Sequence, residues 1–182
     1  LFDRAMPFWV WDTCDYWGTG NPPQPLGTSN KMTAPYQAMA CSDGWFVMGA
    51  NNQKLWEKLC KLMGREELLA DPRFANIAQR LAHRAELQDE LEKTFKQHPK
   101  DHWVETLLAN GIPAGPILSY PEAFGSEHAQ ARRMRMEIDH PIEGRVPNIG
   151  FPVKLSATPQ QVRRHPPLLG EHTDVVLAEL GL

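Results

Sequence analysis

Seven histidines, three cysteines and several neighbouring carboxylates are the residues of this 182-residue chain whose types could do chemistry. Spacing decides what each can be. His98 and His102 bracket Pro99 and lack the intervening glutamate of a zinc-protease helix, so solvent-facing or capping histidines are expected and no metal site is predicted. Cys14, Cys41 and Cys60 form no C-x-x-C pair, which points to reduced thiols in a cytoplasmic compartment. Cys41 falls in a strand pattern, where a buried thiol is expected in place of a nucleophile. Ser119, Ser126 and Ser156 sit in no G-x-S-x-G elbow. No glycine fingerprint for phosphate occurs. Glu66-Glu67 and Asp89-Glu90 lie among helical charges, so a solvated face explains them. The string Leu168-Leu169-Gly170-Glu171-His172-Thr173 leaves two readings. Glu171 and His172 beside a helix N-terminus could hold an anion or move a proton, or Glu171 or Thr173 caps the last helix.

Charge narrows the class further. Lys and Arg number 19 against 22 Asp and Glu, a net charge of −3. The basic groups reach only the pairs Arg132-Arg133 and Arg163-Arg164, which argues against a nucleic-acid partner. The apolar run 6–11 contains Pro7 and is too short to cross a bilayer, and no signal-peptide pattern precedes it, so no membrane partner is expected. The chain begins at Leu1 with no methionine and is expected to be a piece of a longer protein or a processed one.

The elements that must position these residues follow from periodicity. Residues 1–17 hold Trp9, Trp11 and Trp17, a helix end whose rings call for burial against something. Residues 18–34 are dense in Gly and Pro and read as a long loop, either a binding lid or a linker. Strands are predicted at 36–41 and 45–50, joined by Ser42-Asp43-Gly44. Asn51-Asn52 offers a cap for a helix carrying Leu55, Trp56, Leu59, Cys60 and Met63, closed by Gly64. A short helix at 66–70 stops before Pro72. One long amphipathic helix is predicted from 77 to 98, and Asp101 is expected to cap the next one, which ends at Asn110-Gly111. A short strand is placed at 116–118 and a helix at 119–134 opened by a Ser119/Glu122 capping box. A second hairpin pairs 135–140 with 145–151, with 153–156 as an extension. The last helix runs over 172–180. Helices and hairpins mix without βαβ alternation, which makes the fold class α+β: helices around a small antiparallel or mixed sheet.

Read together, several ordered strings resemble the family III CoA-transferases, the formyl-CoA transferase and carnitine CoA-transferase group. They are Ala34-Pro35-Tyr36-Gln37 with Asp43-Gly44, Asn52 with Trp56 and Leu59-Cys60, Asp71-Pro72-Arg73-Phe74 and Arg84-Ala85-Glu86-Leu87. Gly111-Ile112-Pro113-Ala114-Gly115-Pro116, the stretch from His128 to Met134, and that from Pro167 to Thr173 complete the set. The resemblance implies the carboxy-terminal portion of a longer enzyme. Residues 1–17 would end a helix of a missing Rossmann-like large domain, 18–34 would be a loop or linker, 35–146 the small domain, and 147–182 the segment returning to the large domain. It implies a homodimer of linked chains, acyl-CoA and a small carboxylic acid as partners, and coenzyme A ester as substrate with no covalently bound cofactor. It also implies an aspartate that attacks the thioester from the amino-terminal half. Asp3, Asp12, Asp15 and Asp43 do not match its surroundings, so no catalytic residue is assigned and the isolated chain is expected to be inactive. In the formyl-CoA transferases that the strings resemble, a glycine-rich small-domain loop covers the acyl site. The equivalent loop here lacks consecutive glycines, and Gly27, Thr28 and Ser29 are the substrate-binding candidates, with backbone N–H groups suited to an oxyanion. Related racemases and isomerases share these strings, and a free-standing non-catalytic oligomerisation or CoA-ester-binding module is a further alternative.

Overall fold

A computed structural model describes all of residues 1–182. The chain divides into two units, Leu1–Ile117 and Leu118–Leu182. The first opens with α1 (Phe2–Ala5), a 3-10 turn at Met6–Trp9 and α2 (Val10–Thr19). Gly20, with φ of 75°, closes α2 in the left-handed conformation and its N–H bonds the Tyr16 carbonyl. No regular element occupies residues 20–35.

Strands β1 (Tyr36–Cys41) and β2 (Gly44–Gly49) form the predicted hairpin, in register from Tyr36 opposite Gly49 to Cys41 opposite Gly44. Then come α3 (Gln53–Leu62), α4 (Glu67–Ala70), α5 (Ile77–Ala82), α6 (Arg84–Phe95) and α7 (Lys100–Ala109). Strand β3 (Ala114–Pro116) pairs with β2, so the sheet order is β1-β2-β3, all antiparallel. Asn52 caps α3 as expected, its Oδ1 accepting from the Leu55 N–H at 2.9 Å.

One face of the sheet packs on the helices. Phe46, Trp56, Leu59, Phe74, Leu91, Phe95 and Leu107 are fully buried there. Each such side chain contributes roughly 1.5–3 kcal/mol by leaving water. Phe95 anchors the cluster with rings edge-on to Phe46 and Trp103, each at 5.0 Å. Trp103 Nε1 donates to the Phe95 carbonyl at 2.7 Å, which ties α7 to the end of α6.

Three expectations are corrected in this unit. The helix predicted over 77–98 is two helices broken at His83, because the His83 N–H and its Nδ1 both meet the Gln79 carbonyl at 3.0 Å and close α5. The apolar spacing continues through the break, which hid it. Asp101 does not cap α7; Pro99 holds that position and Asp101 lies inside the first turn. The third strand begins two residues earlier than expected, at Ala114.

The second unit contains α8 (Tyr120–Gly125), α9 (Glu127–Ala131), the hairpin β4 (Arg135–His140) and β5 (Gly144–Ile149), and α10 (Thr173–Glu179). Ser119 and Glu122 form the expected capping box. The single helix expected over 119–134 is two, because the Ser126 hydroxyl donates to the Ala123 carbonyl, closing α8, and accepts from the Ala129 N–H, opening α9. Strand β5 ends at Ile149, short of the expected Phe151, and 153–156 do not extend the sheet.

Candidate functional site

The loop 20–34 is held at defined points. Gly27, with φ of 60°, makes a turn in which the Ser29 N–H bonds the Leu26 carbonyl at 3.0 Å. Asn30 N–H reaches the Tyr36 carbonyl, and Arg84 Nη2 donates to the Asn30 carbonyl at 2.8 Å. Lys31 pairs with Asp15 on α2. Thr33 Oγ1 donates to the Asn51 carbonyl, and Arg80 Nε donates to the Ala34 carbonyl at 2.8 Å. This is an anchored loop.

Arg80 is the deepest of these anchors. It is fully buried, and its donors meet the carbonyls of Ala34 and Phe74 and the Gln53 amide oxygen, with no carboxylate among them. Its guanidinium lies 5.2 Å from the Trp56 ring, and Nη2 has no partner. Burial pushes its pKa below the ordinary value.

The predicted residues Gly27, Thr28 and Ser29 lie on one turn against the edge of β1, the first two exposed and Ser29 half-buried. Thr28 Oγ1 accepts from the Ala38 N–H at 3.1 Å, and Ser29 Oγ donates to Gln37 Oε1 at 2.9 Å. The chain of bonds continues inward. Gln37 Nε2 donates to Gln88 Oε1 at 2.7 Å, and Gln88 Nε2 donates to Glu92 Oε1 at 2.8 Å. Glu92 also accepts from the Ala40 N–H at 3.1 Å and from Lys96 Nζ at 2.8 Å. Burial alone would push Glu92 up; the Gln88 amide, Lys96 and the Ala40 N–H outweigh it and hold the carboxyl below its ordinary value.

Beside the loop is a cleft of about 570 Å³ with Asp12, Asp15, Leu26, Lys31, Leu81 and Arg84 among its walls. Gly27, Thr28 and Ser29 do not line it. Gln88, Glu92 and Arg80 escaped the sequence reading, and Gln37 entered it only as part of the Ala34-Pro35-Tyr36-Gln37 string. For Gln88 and Glu92 the signal was polar residues at i, i+4 spacing, continuing to Lys96, which also describes an ordinary helix surface.

The remaining chemical candidates resolve structurally. Burial pushes the Cys60 thiol up to about 12. Burial, then Asp43, raises that of Cys41. Both thiols are buried, which disfavours the thiolate. His98 and His102 stack at 4.2 Å and each packs against Trp103. Neither Glu171 nor Thr173 caps α10 by its side chain, contrary to one expectation. Glu171 instead accepts from the Leu168 N–H at 2.7 Å and faces His165 at 3.4 Å, closing the turn ahead of the helix.

The profile of CoA-transferase family III matches residues 1–173, and the chain belongs to that family. It is 32% identical over 167 residues to the succinate–glutarate CoA-transferase of Agrobacterium fabrum, covering 91% of this chain and 42% of that protein. It is 34% identical over 149 residues to the formyl-CoA:oxalate CoA-transferase of Bradyrhizobium diazoefficiens, covering 79% of this chain and 35% of that one. A solved CAIB/BAIF family protein from Brucella suis superposes with a TM-score of 0.79 at 34% identity, over 94% of this chain and 44% of its own. The chain therefore spans less than half the length of these relatives. No helix is long and apolar enough to cross a membrane.

Proposed function

We propose that this chain is the carboxy-terminal portion of a family III CoA-transferase, which moves CoA between an acyl-CoA and a carboxylic acid through an aspartyl intermediate. The observation that carries the reading is the family match over residues 1–173 by a chain covering 42% of the Agrobacterium relative. In this reading residues 1–17 end a large-domain helix, 35–146 are the small domain and 147–182 return to the large one. Gly27, Thr28 and Ser29 approach the acyl end of a CoA ester as the wall of a site whose nucleophile lies elsewhere. Their anchoring supports this role, since a wall positions substrate only if it keeps its own geometry. The protein works as a cytoplasmic homodimer, consistent with Phe8, Trp11 and Trp17 being 75–87% exposed in one copy.

By itself the chain turns over no substrate. Purified chain with succinyl-CoA and glutarate, or with formyl-CoA and oxalate, leaves the acids unexchanged above buffer, by chromatography of the CoA esters. Sustained turnover overturns the assignment of the nucleophile to a missing part. Sedimentation equilibrium giving the mass of one chain at high concentration overturns the homodimer.

A further inference from the structure

Arg133, with φ of 50°, is the one residue other than glycine that has a positive φ. It follows the cap of α9, at the place where helices commonly end in glycine, and a side chain there strains the backbone. The turn itself makes no use of the guanidinium. Its bonds are backbone ones, from the Arg133 and Met134 N–H groups to the carbonyls of Gln130 and Ala129. Glycine would make the same turn without strain, so the retained side chain points to a use beyond it.

Arg133 lines a cleft of about 1050 Å³ within the second unit, together with Tyr120, Phe124, Arg135, Arg145 and Ile149. The strand register sets Arg135, Glu137, Arg145 and Ile149 on one face of the hairpin, and that face is exposed. Arg145 is answered by Glu137 at 3.3 Å. Arg133 and Arg135 are in no ion pair, and a guanidinium keeps its charge at any working pH. The cleft thus holds two uncompensated planar cations beside two aromatic rings. A small acid would fill a fraction of it and leave the rings wet.

The chain itself carries the complement. Residues 1–17 have no buried side chain, and Trp9 and Trp11 are 61% and 80% exposed. Indole faces are the best partners for a guanidinium, and Trp, Tyr and Arg are the residues that dominate interface energies. The same arm carries Asp3 and Asp12 outside any ion pair, against the single guanidinium of Arg4. Resting on the homodimer of the reading above, we propose that the arm 1–17 of a second copy docks in this cleft. Trp9 and Trp11 stack on Arg133 and Arg135, beside Tyr120 and Phe124. Each copy has one arm and one cleft, so the exchange is reciprocal and closes at two.

Arg133→Gly tests the pairing without threatening the fold, since glycine suits the turn. Sedimentation equilibrium of the 182-residue chain is expected to give a dimer. Arg133→Gly should raise its dissociation constant at least about tenfold, the scale of a hot-spot loss. Its urea midpoint, taken at a dilution where both proteins are monomeric, should be no lower than that of the native chain. The double variant Trp9→Ala, Trp11→Ala should weaken the dimer as much, and adding Arg133→Gly to it should weaken it little further. Unchanged dimerisation of Arg133→Gly, or losses that simply add, overturns the arm-in-cleft pairing while the dimer stands. A lower midpoint for Arg133→Gly overturns it too, by assigning the side chain to the fold. A native chain that keeps the mass of one copy overturns both the pairing and the homodimer.

Discussion

At the scale of single residues, Arg80 and Glu92 are the side chains on which the loop depends most. Arg80→Met removes the donors to the buried carbonyls of Ala34 and Phe74 while relieving a buried charge. The expected net loss is about 2 kcal/mol, read from urea unfolding, with faster amide exchange across 26–34. Unchanged stability would show that water replaces the guanidinium without cost. Glu92 makes a pH-dependent contribution. Its folded pKa is depressed, so its stabilisation is complete above the ordinary carboxylate value and is lost as pH falls through the depressed one. Urea midpoints of the native chain and of Glu92→Gln should differ at pH 7 and converge toward pH 3. A constant gap would assign the effect to packing.

At the scale of elements, the close approach of Gly150 to the end of α9 sets the second hairpin. A Cβ there would stand 2.0 Å from the Arg133 carbonyl oxygen, and the Gly150 N–H bonds the Met134 carbonyl at 2.8 Å. Gly150→Ala should destabilise β4 and β5 by about 3 kcal/mol, visible as lost amide protection there and unchanged protection in β1 and β2. These elements also show what a sequence can disclose. The β1–β2 hairpin, the Asn52 cap and the Ser119 box were legible because each rests on residues a few positions apart. The breaks at His83 and Ser126 were not, since a side chain bonding a local carbonyl leaves the apolar period intact. At the candidate site the turn 27–29 was found through resemblance. Its support by Gln37, Gln88 and Glu92 joins residues up to 63 positions apart that meet only after β1 docks on α6.

At the scale of the molecule, the two units are built differently. Every buried apolar side chain lies between Ala34 and Ile112, in the first unit. The second unit is held by caps, turns and one hairpin, with β4 only half-buried on alternate residues. Hydrogen exchange should therefore be at least about tenfold faster for the ladder amides of β4 and β5 than for those of β1 and β2. Equal protection in the isolated chain would mean that the second unit has a core supplied by association.

The edge of β1 carries one more consequence. The N–H groups of Ala38, Ala40 and Ser42, which face away from β2, are bonded to Thr28, Glu92 and the His98 carbonyl. At the sheet's other side, β3 is three residues long and ends in Pro116, which has no N–H to offer. Neither margin can template a further strand, so filament growth by extension of this sheet is closed to the first unit.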